Sequence, residues 1–537
     1  MSRSQRILVI GAIGLGILAV LLALVSTKFG AGIGTDGVVY VAAARNFLAG
    51  DGISWVGPDA DVRPLAIFAP LLPFVLAIGS YISGQDAWQV ARWLNAILLG
   101  INILVVVSLV YWYSHRTWLA LLSVVIFIFS RSMILMHTNV HSEPLFLVFL
   151  MASVFLLAAY LESEKRRWLW ISGVMMGLAF LARYAGLYFI AGGVLSLLVL
   201  KSGALRDRLK PIAVWGGINA AFVVGWFTRN RLVAGSGTAR QWAPAFPPAK
   251  LLHTMADDIS FWFLPELGPL WIRTGAVILA LILIALLWIW VRKGRIAHSG
   301  SVRFSRGLKP VLMLALVIGV YVTGLMVTRS LVIPRIDIIS RTLVPAHVLT
   351  LVVILLAVGD IIDGLSDEQN KLMSRVFQIA LIGFALSYVL RGTELVIDLQ
   401  KDGQEYARQR WQDSPLMNAM NLLPPDTPIY TNHVEAVYLY TGRHPYRLPY
   451  GCLPQDVLLE EYAQADCQDP DYLHWVEIMR HKLQDEHAVV VLFGRTYEQV
   501  YDPLIPELIE GLEPLSVQGD GIMYVQDVDQ WPENPHW

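Results

Sequence analysis

Charged side chains are scarce in this sequence. They make up 15% of the 537 residues, while hydrophobic residues make up 55% and the mean hydropathy is +0.54. Soluble globular proteins contain about 25% charged residues, so this chain has too little polar surface to be covered by water throughout. The formal net charge of −1 gives no reason to expect a nucleic-acid partner. The composition therefore predicts an integral membrane protein.

Cysteine is almost absent, and the only two residues, Cys452 and Cys467, both lie near the C-terminus. If that segment is exported, an even number of cysteines confined to it predicts a disulfide. Two free thiols are the alternative. The sequence also has no low-complexity tract or solenoid-like repeat. Its first apolar run, residues 7–26, has no small-residue cleavage site, so we interpret it as an uncleaved first span.

Apolar runs of about 20 residues recur along the chain, and each is long enough for a helix to cross about 30 Å of hydrocarbon. A twelfth run, residues 63–83, is ambiguous because it contains Pro64, Pro70 and Pro73. The eleven predicted spans lie near residues 7–27, 92–112, 118–136, 144–161, 168–183, 185–200, 211–228, 269–291, 310–327, 342–359 and 376–391.

Basic residues in the loops predict the direction of insertion. One set of loops carries 16 Lys and Arg residues, and the alternate set, which is longer in total, carries nine. The basic loops lie near 113–117, 162–168, 201–210, 292–309 and 364–375. The alternate loops lie near 131–142, 183–184, 229–262 and 328–341. The basic set and the N-terminus should be cytoplasmic. The N-terminus and the basic loops can both be cytoplasmic only if residues 63–83 do not cross the membrane. We therefore predict that this run lies at the outer surface.

The same count of spans, which decides the side of the membrane for each segment, divides the chain into two predicted domains. Residues 1–391 form a transmembrane module whose first loop, 28–91, is external. Residues 392–537 form a soluble extracytoplasmic domain, and their short β-like and helical runs predict a small α/β fold. The fold class is thus a polytopic helical protein of the plasma (inner) membrane, with external juxtamembrane helices and a small C-terminal domain.

Two carboxylates stand at predicted outer helix ends. Asp36 precedes a run with helical periodicity that includes Tyr40, and Glu143 precedes Pro144 at the start of a span. An acid at the mouth of a span is costly to dehydrate, so both are functional candidates. The alternative for each is a helix-start acid with a purely structural role.

Several arginines also fall on the predicted outer face. In membrane proteins Lys and Arg concentrate in the cytoplasmic loops, and this tendency does not account for arginines on the outer face. Clustered guanidinium groups are well suited to holding phosphate, although some must simply extend to lipid headgroups. His137 and His141, four residues apart and beside Glu143, are a weak signal for a divalent metal ion. The arginines are Arg92, Arg131, Arg183, Arg229, Arg231 and Arg341.

The order of these pieces resembles the GT-C glycosyltransferases, in particular glycosyltransferase family 39, which contains protein O-mannosyltransferases, and the aminoarabinose transferases. The resemblance covers about residues 1–360, and no single motif carries it alone. One departure is Gly37, since relatives often have a glutamate after the first-loop aspartate. The matching pieces are Asp36 with Tyr40, Ala44-Arg45-Asn46 and Gly50; Arg63-Pro64-Leu65; Ala91-Arg92; Glu143-Pro144-Leu145; Gly177 to Arg183; Trp226 with Arg229-Asn230 and Gly235; and Arg341 with Pro345.

The resemblance implies transfer of one sugar from a polyprenyl-phosphate donor to an acceptor at the outer face, usually with inversion. A lipid, a glycan and a protein all remain open as the acceptor. It implies Asp36 as the base, with Glu143 orienting the acceptor or helping to hold a metal. The resemblance also implies that Arg92, Arg183 and Arg229 bind the phosphate, with Arg131, Arg341 and Tyr40 as further contacts.

Three other functions remain open from the sequence. A ligase that moves a whole glycan from a lipid diphosphate, as O-antigen ligases do, would need the same kind of site. A transporter would usually show inverted repeats and charges near the midplane of the membrane, and neither is evident here. A flippase or assembly protein without transferase activity is the third.

Overall fold

The computed structural model describes residues 2–57, 60–245, 249–265, 268–299, 308–333, 336, 338–365, 371–448, 470–494 and 509–531. Within these ranges the chain is mainly helical, with short strands near the helix ends and one larger sheet close to the C-terminus. The helices are α1 (Arg3–Ser26), α2 (Thr35–Ala49), α3 (Leu71–Ser83), α4 (Ala87–Ser114), α5 (Thr117–Ile128), α6 (Arg131–Thr138), α7 (Glu143–Ser163), α8 (Arg166–Ala182), α9 (Gly186–Leu200), α10 (Leu205–Ala234), α11 (Ala249–Phe263), α12 (Leu270–Ser299), α13 (Leu308–Leu331), α14 (Ser340–Gly364), α15 (Lys371–Asp402), α16 (Gln409–Gln412), α17 (Pro415–Met420), α18 (Val434–Thr441) and α19 (Pro470–Asp485). The strands are β1 (Ser54–Val56), β2 (Val62–Pro64), β3 (Gln241–Trp242), β4 (Val332–Ile333), β5 (Ile429–Thr431), β6 (Tyr446–Arg447), β7 (Val489–Phe493), β8 (Glu513–Gln518) and β9 (Gly521–Val525).

Each of the eleven predicted spans coincides with a helix, but not all of these helices have the length of a full span. Among the described residues, eight helices are long and apolar enough to cross a membrane. A ninth span results if α5 and α6, bent by 58° at their junction, are taken together. The remaining two, α8 with 17 residues and α9 with 15, are shorter than the usual 20 or so. The polytopic helical fold is confirmed, with about eight spans in place of eleven.

The loops gather at two opposite ends of the helix bundle, in the same two sets that the basic residues predicted. At one end, Lys201 Nζ lies 2.6 Å from Glu164 Oε1 and Arg292 Nη2 lies 2.5 Å from Asp360 Oδ2. At the other end, strand β3 pairs with β4, and Tyr184 donates a hydrogen bond to the carbonyl of Ala66 at 2.8 Å. Which of these ends faces the cytoplasm remains a prediction.

Residues 63–83 do not form a continuous span. The first part forms strand β2, which pairs with β1, and helix α3 begins only after Pro70. With 13 residues at 1.5 Å each, α3 is about 20 Å long, too short to cross the hydrocarbon core. The run is therefore divided into a hairpin strand that ends at Pro64 and a short helix that begins after Pro70, and both lie at the end of the bundle that also holds α2 and α6.

The predicted α/β fold near the C-terminus is confirmed as a five-stranded mixed sheet with the order β6-β5-β7-β9-β8. Strand β5 is parallel to both β6 and β7, whereas β9 is antiparallel to β7 and β8. Helices cover both faces: α18 packs with the residues of β5 and β7 that point to one side, and α19 packs with those on the other. Cys452 and Cys467 lie outside the described residues.

The sheet domain is docked on the segment that surrounds α2. Trp88 at the start of α4 donates a hydrogen bond to the carbonyl of Ala31 at 2.7 Å, and its ring meets that of Tyr440 at 5.7 Å. The guanidinium of Arg45 on α2 lies 5.4 Å from the ring of Tyr438. Aromatic residues of α18 thus pack directly against the first loop.

Labelling with a membrane-impermeant thiol reagent tests the orientation of the two ends. In a Cys452→Ser, Cys467→Ser background, we expect His115→Cys to be protected in intact cells and Asp485→Cys to be labelled. The reason is that position 115 lies in the basic set of loops, whereas the sheet follows α15 to the other end. Both positions should react after solubilisation. Labelling of His115→Cys from outside would show that the orientation is reversed.

Candidate active site

Asp36 occupies the first turn of α2, where a carboxylate interacts favourably with the helix dipole. The segment before it is fixed by backbone pairing: Gly32 N donates to Thr138 O at 2.8 Å and Val140 N donates to Gly32 O at 2.7 Å. This pairing brings the start of α2 beside the turn between α6 and α7. Asp36 is therefore held close to the start of α7, where Glu143 lies.

Glu143 is the first residue of α7, and its side chain is only 1% exposed. Its Oε1 lies 2.6 Å from Nη1 of Arg183, which follows α8, and 3.3 Å from Nε of Arg341, in the first turn of α14. A carboxylate that is buried to this degree needs such compensation, because an isolated charge would be far too costly to remove from water. Three separate helices thus converge on one acidic side chain.

Arg341 joins the two predicted acids. Its Nη2 lies 2.5 Å from Oδ2 of Asp36, while its Nε faces Glu143. Together with Arg183, this makes a row of alternating charges in which Asp36 and Arg341 are each 28% exposed. The more exposed half of the row faces a cavity, and Glu143 forms the buried half. This difference in burial predicts different roles for the two carboxylates.

Tyr40 and Ser142 complete the polar lining beside these charges. Arg183 Nη1 donates to Ser142 Oγ at 3.1 Å, and the hydroxyls of Ser142 and Tyr40 are 3.2 Å apart. Burial raises the pKa of Tyr40 well above its ordinary value, with nearby Arg183 opposing that effect, so the phenol stays neutral. It is therefore a hydrogen-bonding group and not an acid or base at physiological pH.

A cavity of about 600 Å³ opens beside this row of charges. Asp36, Tyr40, Arg183 and Arg341 all line it. Further lining comes from residues that the sequence reading did not select, in particular Arg240, Tyr184, Tyr188, Trp242 and Tyr321. Arg240 belongs to the predicted outer loop 229–262. The basic residues of this loop were used only in the count that predicts the direction of membrane insertion. The only signal in the sequence that could have identified Arg240 is its place in an outer loop, two residues before Trp242.

Comparisons with known proteins show which fold this chain shares. The family model of dolichyl-phosphate-mannose-protein mannosyltransferases matches residues 64–226, a range that includes Glu143 and Arg183 but neither Asp36 nor Arg341. The solved structure of ArnT from Cupriavidus metallidurans bound to undecaprenyl phosphate aligns with 97% of this chain and 98% of its own, at a TM-score of 0.58 and 13% identity. This chain has the GT-C fold.

Two further GT-C structures align over nearly the whole chain. ArnT from Cupriavidus metallidurans in the apo state covers 97% of this chain and 98% of its own, with a TM-score of 0.55 and 14% identity. The archaeal oligosaccharyltransferase AglB from Archaeoglobus fulgidus, in complex with an inhibitory peptide and a dolichol-phosphate, covers 97% of this chain and 75% of its own. Its TM-score is 0.52 and its identity is 13%. No curated protein sequence matches the chain.

Three of the predicted phosphate ligands do not line the cavity of this GT-C fold, as far as the described residues show. Arg92 donates to Thr27 Oγ1 and to the carbonyl of Leu24. Arg131 lies over the ring of Phe261, a place it shares with Arg391. Arg229 donates to the carbonyl of Leu65 at 2.8 Å and lies over Trp226, so it ties α10 to the loop before α3. The structure gives these three arginines packing contacts away from Asp36.

The histidines do not fit a metal site. The two ring nitrogens of His137 lie 3.0 Å from Asn102 Nδ2 and 2.8 Å from the carbonyl of Met133, so neither is free to bind a metal ion. Burial lowers the pKa of His141 to about 4 despite Glu143, but its neutral ring faces Arg341, a cation. Over the described residues, no three His, Cys, Asp or Glu side chains are grouped to hold a metal ion.

The departure at Gly37 has a steric reason. A Cβ atom at this position would lie 2.8 Å from the side chain of Ile33 and 3.0 Å from the carbonyl of Val140. The glutamate that GT-C relatives often have after the first-loop aspartate would therefore not fit here without moving the backbone. The close approach of α2 to the turn before α7 depends on this glycine.

Substitution of Glu143 tests whether it holds the two arginines in place. We expect Glu143→Gln to cost about 3 kcal/mol or more, because it leaves Arg183 and Arg341 next to a neutral group in a buried site. Asp36→Asn should cost less, because its ion pair is partly exposed. The measurement is the thermal unfolding midpoint of the purified protein in one fixed detergent.

The matched control is Glu164→Gln at the opposite end of the bundle. Glu164 is also paired at 2.6 Å, with Lys201, but it is 59% exposed, so its loss should barely change the midpoint. If Glu143→Gln unfolds at the same temperature as Glu164→Gln, the buried charge does not stabilise the site.

Proposed function

We propose that this protein is a glycosyltransferase that moves a single sugar from a polyprenyl-phosphate donor to an acceptor at the membrane surface, with Asp36 as the general base. The observation that carries the proposal is the placement of Asp36 at the rim of the cavity, paired with Arg341 and followed inward by Glu143 and Arg183. One accessible carboxylate among several guanidinium groups is the set that displacement of a lipid phosphate requires.

The reaction forms a bond between the acceptor oxygen and the anomeric carbon and breaks the bond from that carbon to the phosphate oxygen. The acceptor proton passes to the Asp36 carboxylate, and the lipid phosphate leaves with the bonding electrons. A phosphate is already acidic, so it needs cations and not a proton donor. Attack opposite to the leaving group gives inversion, as the resemblance to the GT-C family implies.

Arg341 couples these two events. Its guanidinium remains charged throughout, and it is shared between Asp36 and the cavity. When Asp36 accepts the proton, the carboxylate loses its negative charge and its hold on Arg341 weakens. The guanidinium is then available to the negative charge that develops on the leaving phosphate. A single arginine therefore helps first to position the base and then to stabilise the leaving group.

Glu143 is a positioning residue in this scheme, because it is too deeply buried to meet an acceptor. Its role is to hold Arg183 and Arg341 at the cavity wall. Arg183, Arg240 and Arg341 replace Arg92 and Arg229 as the proposed phosphate ligands. The polar and aromatic lining of the cavity, with Tyr184, Tyr188 and Trp242, offers stacking surfaces and hydroxyls for one sugar ring.

Replacing Asp36 by asparagine tests the assignment of the base. Asp36→Asn keeps the size and polarity of the side chain but cannot accept the proton, so turnover should fall by roughly 10² or more. Binding of undecaprenyl phosphate should survive. Turnover is measured as release of polyprenyl phosphate from the sugar-loaded donor that is most active with the unaltered protein in a donor screen.

Asp360→Asn is a close control for this substitution. Asp360 is 29% exposed and pairs with Arg292 at 2.5 Å, as Asp36 pairs with Arg341, but it lies at the opposite end of the bundle. It should keep near-normal turnover. Near-normal turnover in Asp36→Asn would show that another group is the base. Failure of every polyprenyl-phosphate sugar, together with activity on a lipid diphosphate glycan, would favour a ligase instead.

Arg240 gives a second test of the phosphate site, because it lines the same cavity as Asp36, Arg183 and Arg341. Arg240→Gln should lower the affinity for undecaprenyl phosphate by about tenfold or more, the scale of one charged hydrogen bond. The control is Arg231→Gln, in the last turn of α10, whose guanidinium donates to the carbonyl of Gly235 at 2.6 Å and does not line the cavity. Equal affinities for the two variants would remove Arg240 from the phosphate site.

A further inference from the structure

A second cavity, of about 230 Å³, lies in the C-terminal sheet domain, away from Asp36. It is lined by Arg410 and Trp411 of α16, His433 after β5, Phe493 and Gly494 at the end of β7, and Asp520 in the turn between β8 and β9. Nothing in the proposed transfer reaction uses these residues. The cavity therefore needs an explanation of its own.

Its place in the sheet is the first argument that it binds a ligand. The chain runs from β5 through α18 to β6 on one side, and it reaches β7, on the other side of β5, through α19. Strands β5 and β7 are parallel neighbours, so their carboxyl ends lie side by side, at the edge of the sheet where His433 and Gly494 lie. In open α/β sheets, ligands bind outside the carboxyl ends of the strands. The cavity opens at that position.

The crevice is held in a fixed shape by hydrogen bonds across its floor. Asn432, directly after β5, donates to the carbonyl of Phe493 at 2.9 Å and accepts from its backbone N–H at 3.0 Å. Gly494 N donates to the carbonyl of Asp520 at 2.7 Å. The carboxylate of Asp520 in turn accepts hydrogen bonds from Ser414 Oγ and from Leu416 N. The polar groups at the rim are thus preorganised by the surrounding backbone.

The lining combines aromatic rings with one positive and one negative side chain. The ring of Trp411 meets the rings of His433 and Phe493 at 5.0 and 5.2 Å, and the guanidinium of Arg410 lies 5.9 Å from it. Burial, reinforced by Arg410, lowers the pKa of His433 to about 4, so its ring is neutral at physiological pH. The charges of Arg410 and Asp520 balance. A cavity with this lining favours a neutral polar ligand over an anion.

We propose that this cavity binds one neutral sugar ring of a glycan. A pyranose has an apolar C–H surface that matches aromatic edges, and a rim of hydroxyls that donate to Asp520 and accept from Arg410. The volume of the cavity also fits. Pockets for drug-sized ligands begin at about 300 Å³, and this smaller cavity suits a ligand the size of one sugar ring. The site stands apart from the transfer chemistry, so it holds whether or not Asp36 is the base.

The test is saturation-transfer NMR on the full-length protein in phosphatidylcholine nanodiscs, because maltoside and glucoside detergents would compete as sugars. The probes are the methyl glycosides of glucose, galactose, mannose and N-acetylglucosamine. We expect at least one to bind. Arg410→Ala and His433→Gln should each weaken that binding about tenfold, as expected for the loss of one well-placed polar contact. Arg410 is exposed, so its removal should not affect folding, which an unchanged unfolding midpoint would verify.

Two control variants distinguish this site from other surfaces. Arg408→Ala removes an exposed arginine from the same segment but outside the cavity, and Asp36→Asn alters the candidate active site. Both should leave glycoside binding unchanged. Absence of binding by all four glycosides would overturn the proposal, as would binding that is lost in Asp36→Asn but kept in Arg410→Ala. Displacement of the glycoside by millimolar inorganic phosphate would show an anion site instead.

Discussion

The arrangement of the site depends on compensating the charge of Glu143. This carboxylate is 1% exposed at the start of α7, and no membrane protein can bury such a group without partners. Arg183 and Arg341 supply the compensation, and Arg341 then extends the charge network to Asp36. One electrostatic requirement thus fixes the ends of α7, α8 and α14 relative to α2. The same requirement places the Asp36 carboxylate and its neighbouring cations at the wall of one cavity.

The position of Asp36 is also controlled from the C-terminal domain. The backbone N–H of Tyr406 donates to the carbonyl of Ile33 at 3.2 Å, and the carboxylate of Glu405 lies against Gly34, which begins α2. On the far side of α2, Arg45 is paired with Asp86 at 2.8 Å and lies over Tyr438. Helix α2 is therefore held between the membrane helices and the sheet domain. This contact links the sheet domain to the candidate active site through a single short helix.

Predictions from sequence succeeded where a local pattern has only one physical outcome. Runs of apolar residues must become helices in a bilayer, because their backbone groups have no other partners there. Of the three prolines that made residues 63–83 ambiguous, Pro64 ends strand β2, Pro70 precedes α3, and Pro73 lies in the first turn of that helix. Asp36 and Glu143 were selected because an acid at the mouth of a span is costly to dehydrate, and the structure brings both into contact with Arg341. Predictions failed where a side chain has several possible partners, as for Arg92 and Arg229, whose guanidinium groups satisfy backbone carbonyls instead of lining the cavity.

The sequence by itself thus determined the helical membrane class, the grouping of the loops at two ends, and the choice of two acids that the structure brings together at Arg341. Only the tertiary structure decided which arginines meet those acids, that Glu143 is buried while Asp36 is accessible, and that Arg240 belongs to the cavity. The reason is that hydrophobicity is a property of each local segment, and the two sets of loops follow from counting such segments along the chain. An ion pair such as Arg341 with Asp36, 305 residues apart in the chain, exists only once the helices have packed.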